Sequence, residues 1–143
     1  MLRRTLLALS LSAFSVSAMA ANYTVAVEPN YPASQAQEIY KPLLSYLSKS
    51  TGHTFTLKTA NNYHAYWRDV LANTPTDVTF EEAHFADFRV QRFGFLPLVR
   101  VAEPTQFSVL VSPENKDKGT QGLFSGTIVS MPSPSLGYLF LGE

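Results

Sequence analysis

Cysteine is absent from the chain, which excludes disulfides and a thiol nucleophile and leaves the fold to stand on its apolar core. Charge of one sign is lacking too. Eleven basic side chains face 11 acidic ones, a balance without the basic footprint of a nucleic-acid binder, so no nucleic-acid partner is expected. The sequence has no glycine-rich phosphate loop and no Gly-x-Ser-x-Gly elbow, which removes two readable routes to catalysis. We expect no enzyme and no cofactor. Long hydrophobic runs are scarce: the one at residues 5–16 is too short to cross a bilayer. Arg3 and Arg4 precede it and Ala18-Met19-Ala20 follows, so residues 1–20 read as a signal peptide that sends the chain to the periplasm. A membrane anchor is the competing reading, and the Arg pair alone is weak evidence for twin-arginine export.

What remains is rich in core-forming residues. The chain is 45% hydrophobic and 13% aromatic, enough for a packed core and against disorder. Cleavage after Ala20 leaves 123 residues with 9 basic and 11 acidic side chains, a net charge of −2. That length suits one core.

The stretch Asp77-Val78-Thr79-Phe80-Glu81-Glu82-Ala83-His84-Phe85-Ala86-Asp87-Phe88 organises the chain. Val78 and Phe80 predict a short buried strand. Glu81 and Glu82 predict the first turn of a helix, where exposed N–H groups favour carboxylates. A strand feeding directly into a helix places Glu81, Glu82 and His84 at the carboxyl end of a sheet, where open α/β sheets bind ligands.

Upstream, residues 23–28 alternate as a first strand and run into the turn Pro29-Asn30-Tyr31-Pro32. Ala36, Ile39, Tyr40, Leu43, Leu44 and Leu47 share one helical face, opened by Ser34 and closed by Gly52. Pro42 predicts either a kink or a helix that begins only near Lys41. Residues 54–59 predict a second strand, and Asn61 or Asn62 caps a helix bearing Tyr63, Tyr66, Trp67, Val70 and Leu71. Tyr63, in the first turn, can point past the helix end into a cleft. Downstream, Phe85, Phe88 and Phe93 bury a third helix, while Asp87, Arg89 and Arg92 read as its solvated face. Further strands are expected at residues 96–101, 107–111 and 127–131. Pro132 to Tyr138 reads as a turn into an apolar helix, with hydroxyls and free N–H groups at its start.

The ordered set "YKPLLSYLSKSTG" (40–52), "NNYHAYWRDVL" (61–71), "TDVTFEEAHFADFR" (76–89), "RVAEPT" (100–105) and "GTIVSMPSPSLGYLF" (126–140) resembles the phosphate/phosphite/phosphonate-type solute-binding proteins of bacterial ABC importers. The resemblance runs from about Tyr23 to the end of the chain and covers about the first half of a family member. It implies an α/β, periplasmic-binding-protein-like II fold. Residues 21–111 would form a first lobe, a three-layer α/β sandwich, and residues 112–143 the inter-lobe connection and an incomplete start of the second. The chain is therefore expected to be truncated. It implies a monomer that clamps a small anionic or zwitterionic, phosphonate-like solute between its lobes and docks on an ABC permease in the inner membrane. By position, Tyr63 matches a cleft tyrosine of the family, and Ser133, Ser135 and Gly137 match its hydroxyl-rich helix start. Tyr31, in the first strand's carboxyl-end turn, joins Glu81, Glu82 and His84 as a further candidate contact. Two departures stand out: Pro134 replaces a hydroxyl and N–H donor, and Glu81-Glu82 replaces a Gly-Pro type turn.

Two other classes remain open at this point. Glu81 and His84 have the i,i+3 spacing of a carboxylate–histidine metal pair, with His53 and His64 as further candidates on the same sheet end. A periplasmic sensory or accessory module that reports a solute without importing it would carry the same sequence features.

Overall fold

The computed structural model describes residues 20–124 and 126–142. The expected signal peptide lies, except for Ala20, outside the described residues. Among the described residues no helix is long and apolar enough to cross a membrane.

Strand β1 (Asn22–Val27) is the centre of a three-stranded parallel sheet of order β2-β1-β3, with β2 at Thr54–Thr59 and β3 at Val78–Phe80. Val25 lies opposite Leu57 on one side and Val78 on the other, and Val27 opposite Thr59 and Phe80. Parallel neighbours need crossovers, which helix α1 (Ala33–Thr51) and helix α2 (Tyr63–Leu71) supply. The sheet is three layers thick with its helices. Because side chains alternate along a strand, Val25 and Val27 face α1 and bury with Ala36 and Leu57, backed by Tyr40 and Leu44. Ala26 and Glu28 point to the other face. There α2 packs on helix α3 (Ala83–Phe93) through Tyr63, Tyr66, Val70 and Phe85, with Trp67 and Phe88 at the margin. The α/β architecture expected from the sequence is the one observed.

The local signals explain where these elements stop. Asn62 caps α2, its side-chain oxygen accepting the Ala65 N–H at 2.8 Å. Gly52, at φ 74°, ends α1 in the left-handed conformation that costs other residues strain. The carboxylate of Asp77 accepts from both the N–H and the hydroxyl of Thr24 (2.7 and 2.8 Å), tying the entry to β3 onto β1. Those bonds hold its carboxyl below the usual range.

Several expectations are corrected. α1 starts at Ala33 behind Pro32 rather than near Lys41, and runs through Pro42 to Thr51; one missing backbone bond does not outweigh a helix face anchored by Ala36, Tyr40 and Leu44. Glu81 and Glu82 precede α3 rather than forming its first turn, with Glu82 at the N-cap. Phe80, expected in the core, is 53% exposed, because β3 is a three-residue edge strand; the Tyr40 ring meets it edge to face. Residues 96–101, 107–111 and 127–131 form no strands. A strand exists only with a ladder partner, and β-prone composition does not provide one. Leu96, Leu98, Val99, Leu110 and Val129 are all more than 80% exposed. The remaining elements are single turns of 3-10 helix at Pro113–Asn115 and Gly119–Leu123, then helix α4 (Leu136–Gly142).

Candidate functional site

Parallel strands deliver their carboxyl ends to one edge of the sheet, so the residues after β1 and β3 meet there. After β1 come Glu28 and Asn30, and after β3 come Glu81, Glu82 and His84. Glu28 is buried at 2% exposure. One of its oxygens accepts the backbone N–H of Glu82 and the other the Tyr63 hydroxyl (3.3 Å). Tyr63 also meets the Asn30 side-chain oxygen. Burial, together with the nearby Glu82 and Glu81 carboxylates, pushes the Glu28 carboxyl up to about 7, against the lowering effect of its hydrogen bonds. Burial and the Glu28 and Glu82 carboxylates raise the Tyr63 phenol, which therefore stays protonated and donating.

Glu82 bridges to the far end of the chain. Its own N–H goes to Glu28, while its carboxylate accepts the Leu136 N–H at 2.8 Å. Beside it, His84 Nε2 lies 2.8 Å from the Pro134 carbonyl. A carbonyl only accepts, so Nε2 carries the proton and donates. The other ring nitrogen, Nδ1, faces the Glu82 carboxylate at 3.9 Å and makes no hydrogen bond. The acidic turn and the serine-bearing turn, 50 residues apart in sequence, are thus in direct contact. Ser135 is fully buried and spends its hydroxyl on its own helix, accepting the Tyr138 N–H at 3.3 Å.

The sequence candidates therefore divide. Tyr63, Glu82 and His84 converge with the 133–136 turn, in which Ser133 is half-buried. Tyr31 sits at the rim, 43% exposed, its ring edge-on to Tyr40. Gly137 backs the turn, packing toward Met131 and Phe107. Glu81 belongs to a second cluster: its carboxylate accepts Arg89 Nε at 3.0 and 3.2 Å, the Thr79 hydroxyl at 3.0 Å and the Tyr66 hydroxyl. Burial and that carboxylate raise the Tyr66 phenol. Glu81 and His84 spend their polar atoms on different partners, and His53 binds the Ala21 N–H at the amino end of the sheet, the opposite edge from His84. Among the described residues no group of three His, Asp or Glu side chains is placed to hold a metal ion.

Three residues escaped the sequence reading. Arg89, expected on a solvated face, is 2% exposed. Its i,i+4 spacing from buried Phe85 was the available signal. Glu28 and Asn30 were legible only as the end of a strand and a turn, although the carboxyl end of a central parallel strand is itself a pointer to a site.

A family model described as "ABC transporter, phosphonate, periplasmic substrate-binding protein" matches residues 25–141. The chain belongs to this family. Its match runs from within β1 to within α4, so the family covers both turns of the site as well as most of the sheet. Neither the curated proteins nor the solved structures give a significant match. The family is one of binding proteins rather than an enzyme class, and its description places it in the periplasm.

Proposed function

We propose that the chain is the solute-binding part of an ABC importer, taking a small anionic or zwitterionic, phosphonate-like solute where the turn at residues 81–84 meets the turn at residues 133–136. The observation that carries this reading is the direct contact between the two turns, made by Glu82 with Leu136 and by His84 with Pro134. Tyr63, Glu82, His84 and Ser133 are assigned to the solute itself, with Tyr31 at the rim. Ser135 and Gly137 shape the second turn, and Glu81 supports the first from beneath. In this reading residues 21–111 act as one lobe, residues 112–143 as the connection and the start of another, and the loaded form is presented to a permease.

The charge pattern narrows the solute. Glu82 already occupies the Leu136 N–H that an anionic head group would take, and Glu28 lies buried behind it. A dianion arriving alone is repelled by the Glu82 carboxylate and by the ionised fraction of Glu28, whereas an ammonium group on the same solute is attracted by them. Calorimetric titration with 2-aminoethylphosphonate and methylphosphonate tests this, the zwitterion being expected to bind more tightly. Replacing Glu82 and His84 together by Ala is expected to weaken binding by more than about 1 kcal/mol while the variant, having lost both bonds to the 133–136 turn, still unfolds cooperatively. Absence of binding heat from either compound, or an affinity untouched by the double replacement, overturns the proposal.

A further inference from the structure

On the α2/α3 face of the sheet lies a partly open cavity of about 20 Å³. Ala26, Thr59, Ala60, Tyr66, Thr76 and Arg89 are among its walls. Two buried polar atoms belong to these walls and make no hydrogen bond with the protein: Arg89 Nη1 and Thr59 Oγ1. The Arg89 side chain is only 3% exposed. A buried guanidinium N–H without an acceptor costs several times what a made hydrogen bond contributes, so such groups are almost always satisfied, by ordered water where protein does not reach. One water needs roughly 10–15 Å³ of such space and two or more polar partners. The cavity meets the first condition, and both residues that carry the unpartnered atoms, Arg89 and Thr59, line it.

We infer that the cavity is a binding site for a single ordered water molecule, which accepts from Arg89 Nη1 and bonds the Thr59 hydroxyl. The occupant is neutral because the charge of Arg89 is already balanced by Glu81 at 3.0 Å, and Asp69 also lines the cavity. An anion there would face both carboxylates. The water completes a buried network through four elements: Thr59 closes β2, Tyr66 sits on α2, Glu81 follows β3 and Arg89 sits on α3. Its role is positional. It fixes the guanidinium that holds Glu81, the residue next to Glu82, and so fixes the floor from which the acidic turn rises.

The test is a high-resolution crystal structure of the full chain beside its Thr59→Val variant, with oxygen-17 relaxation dispersion counting long-lived waters in solution. A single peak within hydrogen-bond distance of Arg89 Nη1 and Thr59 Oγ1 is expected. In Thr59→Val the count falls by one and the melting temperature by about 2–5 °C, whereas Thr59→Ser, which keeps the hydroxyl, retains the water. A dry cavity, or Arg89 Nη1 bonded directly to a protein group, overturns the inference. So does an anomalous bromide peak at that position after a bromide soak, which would make the occupant a halide.

Discussion

Residues 22–93 and residues 95–131 are built from similar amounts of apolar sequence and end in opposite states. The first region places Val25, Val27, Val70 and Phe85 at 1% exposure or less, whereas the second leaves Leu110 and Val129 at 92%. The difference is one of partners rather than composition. β1 has a strand on each side and a helix layer on each face, while the β-prone segments after Phe93 have no ladder to join. Hydrophobic patterning decides which residues can be buried; pairing decides which are.

The sharpest way to break the comparison is to remove one large side chain from each region. Phe85 is fully buried and meets the rings of Tyr63, Tyr66, Trp67 and His84. Phe85→Ala is expected to cost about 3–5 kcal/mol in urea unfolding, and Leu110→Ala less than about 0.5 kcal/mol. Equal losses would mean that the second region is packed after all.

Next in size is the buried ion pair. Arg89→Met leaves the Glu81 carboxylate buried without its cation, for an expected loss of about 3 kcal/mol, and adding Glu81→Gln should restore part of it. A double variant as unstable as the single one would show that the pair does not act as a unit.

Glu28 gives a pH signature to the buried region. Its carboxyl is raised from 4.5 to about 7, so the protonated form favours the fold. Its contribution is complete below about pH 4.5 and lost as pH rises through about 7, a change of about 3 kcal/mol. Glu28→Gln should flatten that part of the stability–pH curve; an unchanged slope assigns it to another group. The smallest expected effect is at the border between the regions: Phe80→Ala should cost about 1 kcal/mol, since half of the ring is already in water.

How far the sequence could be read follows the same division. Elements whose signals are local were legible: an asparagine cap at 61 or 62, the Gly52 stop, the helical faces of α1 and α2, and the strand-to-helix passage that puts Glu82 and His84 at the sheet's carboxyl edge. The meeting of that edge with the turn before α4 was an expectation of the family resemblance alone, because no strand of the sheet leads into that turn. Features set by long-range geometry were not legible. Arg89 looked like a surface charge until the Glu81 carboxylate was placed beside it, and Glu28 looked like the end of a strand until Tyr63 and the Glu82 N–H closed over it. The strands expected after residue 95 failed for the same cause, since no local pattern states whether a neighbour will be there to pair.

The double use of Glu82 sets the scale of any opening. Parting the two turns breaks two hydrogen bonds, Leu136 to Glu82 and His84 to Pro134, while the Glu82 N–H keeps its grip on Glu28. A bond to a charged group contributes about 1.5–3 kcal/mol and a neutral one about 1 kcal/mol, so the resting latch amounts to only a few kcal/mol. Under the proposed solute-binding role, micromolar binding would release about 8 kcal/mol, more than the latch holds.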